Sequence, residues 1–400
     1  MAEVYLDRLP REILYNIALM LPFSSIIQLK WSSKYLYNLL IDPKFVDLHL
    51  AHALEKPPGY LFTPITKSWS EKKSCYFVEQ SGDQLSTSKI FEYPCDYFEP
   101  KNWDNYFQSS GGLMCAYSSQ SCCFRIFNPH KGEEVQVPRD PKFKKWWFIS
   151  FIFSYSPSIK EYKILKMGEL ICGRPVAEIC TLGSNIWREI LENVPNTNWH
   201  TDRCTYCQGN PFWMDTSNIH FFDLVSEKFH VIPGPPVLEV VRVKLMTKTL
   251  ISMGDTIGYL HNNKLWVLED KTKGIWINRY DFSIPPLYNW ATLTGTTENG
   301  HLFGYMRLST NVFSHDMGCT GFRVMEMNLD NHGGKEDTKW NEYIAPHVRS
   351  FVSPVRIIKM GNKLNQKEKW VLDTLKLDYD ATKDDLFNKI YELLQAHEKK

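Results

Sequence analysis

Hydrophobic positions recur every three or four residues up to about residue 55 and alternate with polar ones beyond Pro57, so the chain passes there from a helical to a strand period. Leu9-Pro10-Arg11-Glu12 opens a first helix: proline is tolerated in a first turn, where its missing N–H costs nothing, and Glu12 suits the positive helix end. Ile13, Leu14, Ile17 and Leu21 then form one apolar face, and Leu21-Pro22 closes the helix. Ser24 or Ser25 is placed to cap a second helix carrying Ile26, Ile27 and Leu29. Ser32 or Ser33 starts a third, with Leu36, Leu39 and Leu40 inward, ending near Asp42-Pro43. A fourth, from Lys44, puts Phe45, Leu48 and His52 on one side. So small a bundle can barely bury a core of its own, and its leftover apolar surface calls for a partner helix.

Pro57-Pro58-Gly59 breaks the helical pattern. Strand–turn–strand units follow: Cys122–Phe127 with Glu133–Val137, Val176–Leu182 with Ile186–Ile190, and Asn218–Leu224 with Phe229–Ile232. Thr256–His261, Lys264–Leu268 and Ile275–Phe282 give three consecutive strands, and Phe322–Leu329 another. The central turns fall near residues 130, 183, 226, 272 and 331, a ragged spacing of about 40 to 60 residues. That rhythm suits propeller blades of four short antiparallel strands, six or so of them; a β-sandwich is the alternative. Thr382 and Asp385 resemble a capping box ahead of a final helix with Leu386, Ile390 and Leu393 on one stripe. The fold class expected is α+β, mainly β: a helical head over residues 1–52, a β-rich body over 57–362, and a tail with a helix over 363–400.

Composition narrows the function. A net charge of +1 lacks the basic excess of a nucleic-acid or membrane surface. The most apolar run, Trp146 to Phe153, is far short of the ~20 residues that span a bilayer. The N-terminus carries acids and no apolar signal segment, and ten scattered cysteines make no disulfide scaffold. A reducing cytoplasmic or nuclear location is expected.

The string from Leu9 to Phe45 resembles an F-box of the plant type, with Leu9, Pro10, Ile13, Leu14, Ile17, Leu21, Pro22, Ile26, Leu29, Asp42, Pro43 and Phe45 in register. Trp31 and Ser33 stand where that family often has cysteines, and Leu36 where it often has tryptophan. The phrases F-N-P-H-K-G-E-E-V-Q-V-P, A-E-I-C-T-L-G-S-N-I-W-R-E-I, F-F-D-L-V-S-E-K-F-H-V-I-P and K-G-I-W-I are similar to the plant F-box-associated, kelch-like domain. The resemblance implies a substrate receptor of an SCF-type ubiquitin ligase. Its head docks on the Skp-type adaptor, and through it on a cullin-RING scaffold, by Leu9, Pro10, Ile13, Leu14, Ile17, Leu21, Pro22, Ile26 and Leu29; its body binds a protein target. That reading needs Leu14, Ile17 and Leu21 to keep a free face rather than be sealed against the chain's own sheets. Trp187-Arg188 and Asp223 read as structural, an indole for packing and a carboxylate for turn N–H groups.

Catalytic motifs are missing: no phosphate loop, no H-E-x-x-H and no G-x-S-x-G. The chain therefore reads as a non-enzyme without cofactor. Cys204-x-x-Cys207 with His200 offers three zinc ligands but no fourth, which favours loop cysteines over a metal site. The competing function is a carbohydrate- or small-molecule-binding propeller, possibly enzymatic, motivated by 13 tryptophans whose indole faces stack on sugars as well as on cores.

Overall fold

A computed structural model describes residues 9–65, 72–81, 84–94, 107–118, 123–138, 149–170, 172–184, 186–195, 204–215, 218–236, 249–261, 264–281, 291–296, 302–306, 311–315, 322–326 and 339–360. Four helices come first: α1 (Arg11–Leu19), α2 (Phe23–Ser32), α3 (Lys34–Leu40) and α4 (Pro43–Leu54). Ser33 caps α3 by accepting the Leu36 N–H at 3.1 Å, and Asp42 caps α4 by accepting that of Lys44 at 2.9 Å. Ser24 and Ser25 cap nothing. The second helix begins before them, at Phe23, whose ring is held by the stacked Phe351 ring 4.6 Å away.

Strands begin at Gly59, and among the described residues they form six antiparallel sheets of four. Blade 2 spans 107–136, blade 3 149–190, blade 4 205–233, blade 5 249–281 and blade 6 291–326. Blade 1 combines three strands from residues 59–94 with Lys339–His347 from the far end of the sequence, which pairs with Gly59–Ile65. Each sheet touches the next. Lys339–His347 meets Phe107–Ser110, which meets Ile149–Ser156, which meets Asn210–Met214. On the other side Thr205–Cys207 meets Thr249–Met253, then Ala291–Thr296, which returns to Lys339–His347. The contacts close a ring, a propeller of six blades rather than two facing sheets.

The apolar interior is a series of wedges between blades. Phe151, Phe153 and Tyr155 face the wedge between blades 2 and 3, while the intervening Ile152 faces that between blades 3 and 4. An inner strand buried on both faces reads as a continuous apolar run, and the Trp146–Phe153 run leads into such a strand, Ile149–Ser156. Outer strands are tied to their neighbours by indoles: Trp187 Nε1 donates to the Pro138 carbonyl and Trp276 Nε1 to that of Pro233, each at 2.9 Å. At the second tie Gly274 has φ +64°, and a side chain there would meet the Pro233 ring.

Turns between third and fourth strands repeat a side-chain bond. Asn128 Oδ1 accepts the His130 N–H, Asp223 accepts those of Val225 and Ser226, and Asp270 those of Thr272 and Lys273. The structural reading of Trp187 and Asp223 matches these contacts. The final helix expected around 382–393 lies outside the described residues, as do parts of the Cys122–Phe127, Ile275–Phe282 and Phe322–Leu329 strands.

Candidate functional site: the helical head and its joint with the ring

The first helix is apolar on two sides, and they meet different fates. Leu14, Tyr15 and Ala18 are buried against the other helices, within a cluster completed by Ile26, Leu36, Leu39, Leu40, Phe45 and Phe351. Ile13, Ile17 and Met20, spaced along one line of the helix, stay 45%, 43% and 85% exposed. A row of three large apolar side chains at i, i+4 and i+7 is the pattern of a helix face made for a partner. Surface ion pairs hold this helix in place from its other flank: Arg11–Asp42 at 3.6 Å and Glu12–Lys44 at 3.4 Å join α1 to the start of α4.

The nine residues expected to reach an adaptor therefore divide. Ile13 and Ile17 are open; Pro10 and Pro22 are exposed at the caps of α1 and α2; Leu9, Leu21 and Leu29 are half-buried against the head's core. Leu14 and Ile26 are corrections: both are buried in that core and present no surface in the folded chain. They are covered by the head's own helices, not by the sheets. Met20 replaces Leu21 on the open line, a position the 3.6-residue period from Ile13 points to. Trp31, at the end of α2, is 72% exposed, with Lys30 Nζ 5.4 Å from its ring. The buried face of α4 also differs from expectation. Phe45, His49 and Leu50 are inward, while Leu48 is exposed and His52 half-buried, because α4 lies between two cores. Phe45 enters the head's cluster and Leu50 that of blades 2 and 3.

The same two cores are joined by the segment after the ring-closing strand. Phe351 stacks on Phe23 and packs edge-on against His49 at 4.8 Å, while the next residue, Val352, belongs to the blade 2–3 wedge. Asn128 Nδ2 donates to the Ser350 and Val352 carbonyls at 2.9 and 2.8 Å, and Ser350 Oγ donates to the Gly112 carbonyl at 3.0 Å. Gly112 has φ +72°, and any side chain there would strike Ser350. Arg349 pairs with Glu79 at 2.9 Å and lies over the Phe77 ring, and Lys160 pairs with Asp47 of α4 at 3.4 Å. Head and ring are thus packed together by apolar and polar contacts alike.

Burial lowers the basicity of the imidazoles here: His49 to about 4, His130 to about 3, helped by the nearby Arg349 charge, and His347 well below its usual value. The zinc candidate fails on geometry. Cys204 packs toward the wedge between blades 3 and 4, and Cys207 lies in that between blades 4 and 5, so the two thiols leave opposite faces of one strand. Such a pair cannot converge on one ion; His200 lies outside the described residues.

A family profile described as the F-box associated beta propeller domain matches residues 65–341. An F-box/kelch-repeat protein of Arabidopsis thaliana is 28% identical over 55% of this chain and 58% of its own length, so the match spans less than two thirds of that relative. Two F-box proteins of the same plant are 26% and 23% identical, covering 72% and 74% of this chain and 80% and 70% of theirs.

Proposed function

Because this chain belongs to the plant F-box proteins with an F-box associated beta propeller domain, we propose that it is the substrate-recognition subunit of an SCF-type ubiquitin ligase. The head docks on a Skp-type adaptor, the ring holds a protein target, and the chain performs no chemistry itself. The open line of Ile13, Ile17 and Met20 carries this reading, since an apolar row along one helix is what a helical partner covers. Transfer is promoted by proximity: a target held on a scaffold meets the transferring subunit at raised effective concentration, and a packed joint keeps the two ends in one geometry.

The head sits where the short turns are, against residues 130–131, 157–160 and 181–184. In antiparallel blades the connections from each outer strand to the next inner strand leave from the opposite face. The target is accordingly assigned to the ring face turned away from the head.

The test is adaptor co-purification with Ile13→Asp plus Ile17→Asp, both on the open line. Covering what is still exposed of two such side chains contributes about 0.7–1.3 kcal/mol each, so adaptor affinity falls at least about 10-fold while the circular dichroism spectrum is retained. Unchanged affinity in a folded double variant rejects the proposal. The tryptophan argument for a sugar site finds little support among the described residues. Trp213 and Trp276 are buried, Trp187 and Trp266 are packed against the wedges, and exposed Trp31 is on the head.

A further inference from the structure

Three Ser-Pro or Thr-Pro pairs occur in the sequence: Thr63-Pro64, Ser156-Pro157 and Ser353-Pro354. Proline holds the residue before it extended, the shape in which a kinase cleft takes its substrate. Only Ser353 also has a cation three residues on, Arg356, the charge pattern that proline-directed serine kinases select. The fold separates the three in the same sense. Thr63 lies within the paired strand Gly59–Ile65, and Ser156 is 3% exposed at the end of Ile149–Ser156. Ser353 is half-buried and belongs to neither helix nor strand.

Ser353 Oγ donates to Glu133 Oε2 at 2.5 Å and accepts the Arg356 N–H at 3.2 Å, and Glu133 Oε1 is 2.8 Å from Lys131 Nζ. Openings of about 690 and 650 Å³ flank the hydroxyl. Lys30 of α2 and Lys131 line the first, Lys359 the second, and Arg356 both. The other carboxylates of the first opening are matched elsewhere: Asp47 by Lys160 and Glu161 by Lys163, each at 3.4 Å. Lys30, Lys131, Arg356 and Lys359 are thus set against Glu133 alone. Burial lowers the pKa of Lys30 and Lys131 lowers it further, against a smaller pull from Glu133. Such an excess of positive charge around one hydroxyl suits a dianion.

We propose that Ser353 is phosphorylated by a proline-directed serine kinase and that the phosphoserine clamps the head to the ring. The γ-phosphoryl group of ATP passes to Ser353 Oγ, the hydroxyl proton goes to the kinase's base, and ADP leaves. The new group carries a charge of about −1.5 to −2. It gives up the bond donated to Glu133, but Lys131 stands only one carboxylate away, on the turn of blade 2, and Arg356 and Lys30 of the head line the same opening. Attraction from four cations outweighs repulsion from one carboxylate, so the modification tightens the joint that Phe351 and Val352 already form. The inference does not depend on adaptor binding.

The experiment treats the full-length protein with ATP and a cyclin-dependent serine kinase and maps the phosphate by mass spectrometry. Phosphate is expected on Ser353, with slower uptake in Arg356→Gln. The modified protein is then cut by a glutamate-specific protease after Glu55, in the link between head and ring. New charge-assisted bonds slow that cut about tenfold, and Lys30→Gln with Lys131→Gln removes most of the difference between modified and unmodified chains. A protein that takes no phosphate at Ser353 overturns the site. Cleavage that is unchanged or faster after phosphorylation overturns the clamp, as does a slowing that survives in the lysine double variant.

Discussion

His49 from the head and His130 and His347 from the ring meet around Phe23, Phe77 and Phe351, and each keeps one buried ring nitrogen without a hydrogen-bond partner among the described residues. Arg349 is near His130 and His347, while His52 and Lys56 face His49, so no neighbouring charge offsets the cost of a proton. The folded joint therefore holds these rings neutral, whereas the unfolded chain takes up protons below about pH 6.5. Stability is complete above that value and is lost as pH falls from it toward the folded values of about 4 and 3. At pH 5.5 each histidine costs about 1 kcal/mol relative to pH 7.5. Urea midpoints at the two pH values measure the loss, and His130→Gln removes its own share. An unchanged difference in that variant means His130 is not held neutral. These couplings were invisible in the sequence, where His49, His130 and His347 are separated by most of the chain and share no motif.

Among elements, the turns were the most legible part. The Asn128, Asp223 and Asp270 side chains mark third-to-fourth-strand turns because a short carboxylate or amide can bond the N–H groups two or three residues on, a purely local event. The faces of α1 and α4 were harder. Ile13 and Leu14 are adjacent and equally apolar, so periodicity gives an amphipathic helix but does not say which residue points inward; α4 has two cores to satisfy and no single stripe. Ring closure could not be read at all, since Lys339–His347 is chosen as a partner by a strand some 280 residues earlier. The indole ties supply a test at this scale. Trp276→Phe keeps the ring's packing but leaves the Pro233 carbonyl without its donor, and should destabilise the protein by about 0.5–1.5 kcal/mol in equilibrium unfolding. A loss near zero assigns the indole to packing alone.

For the whole molecule, Phe351 is the residue through which ring and head share a core. Phe351→Ala opens a void between Phe23, Phe45 and His49 and should cost about 3–5 kcal/mol. Thermal unfolding is then expected to split into two transitions, with faster cleavage by a glutamate-specific protease after Glu55, between α4 and the first strand. One cooperative transition in that variant means the remaining contacts suffice to couple the parts. The placement of Phe351 and Lys339–His347 so late in the chain also bears on synthesis. A nascent polypeptide leaves the ribosome with its helices first, yet those helices lack their last core residue, and the first blade its inner strand, until the final portion has emerged. A product stopped before residue 339 has neither a sealed head nor a finished ring, so translation past Phe351 is what completes both.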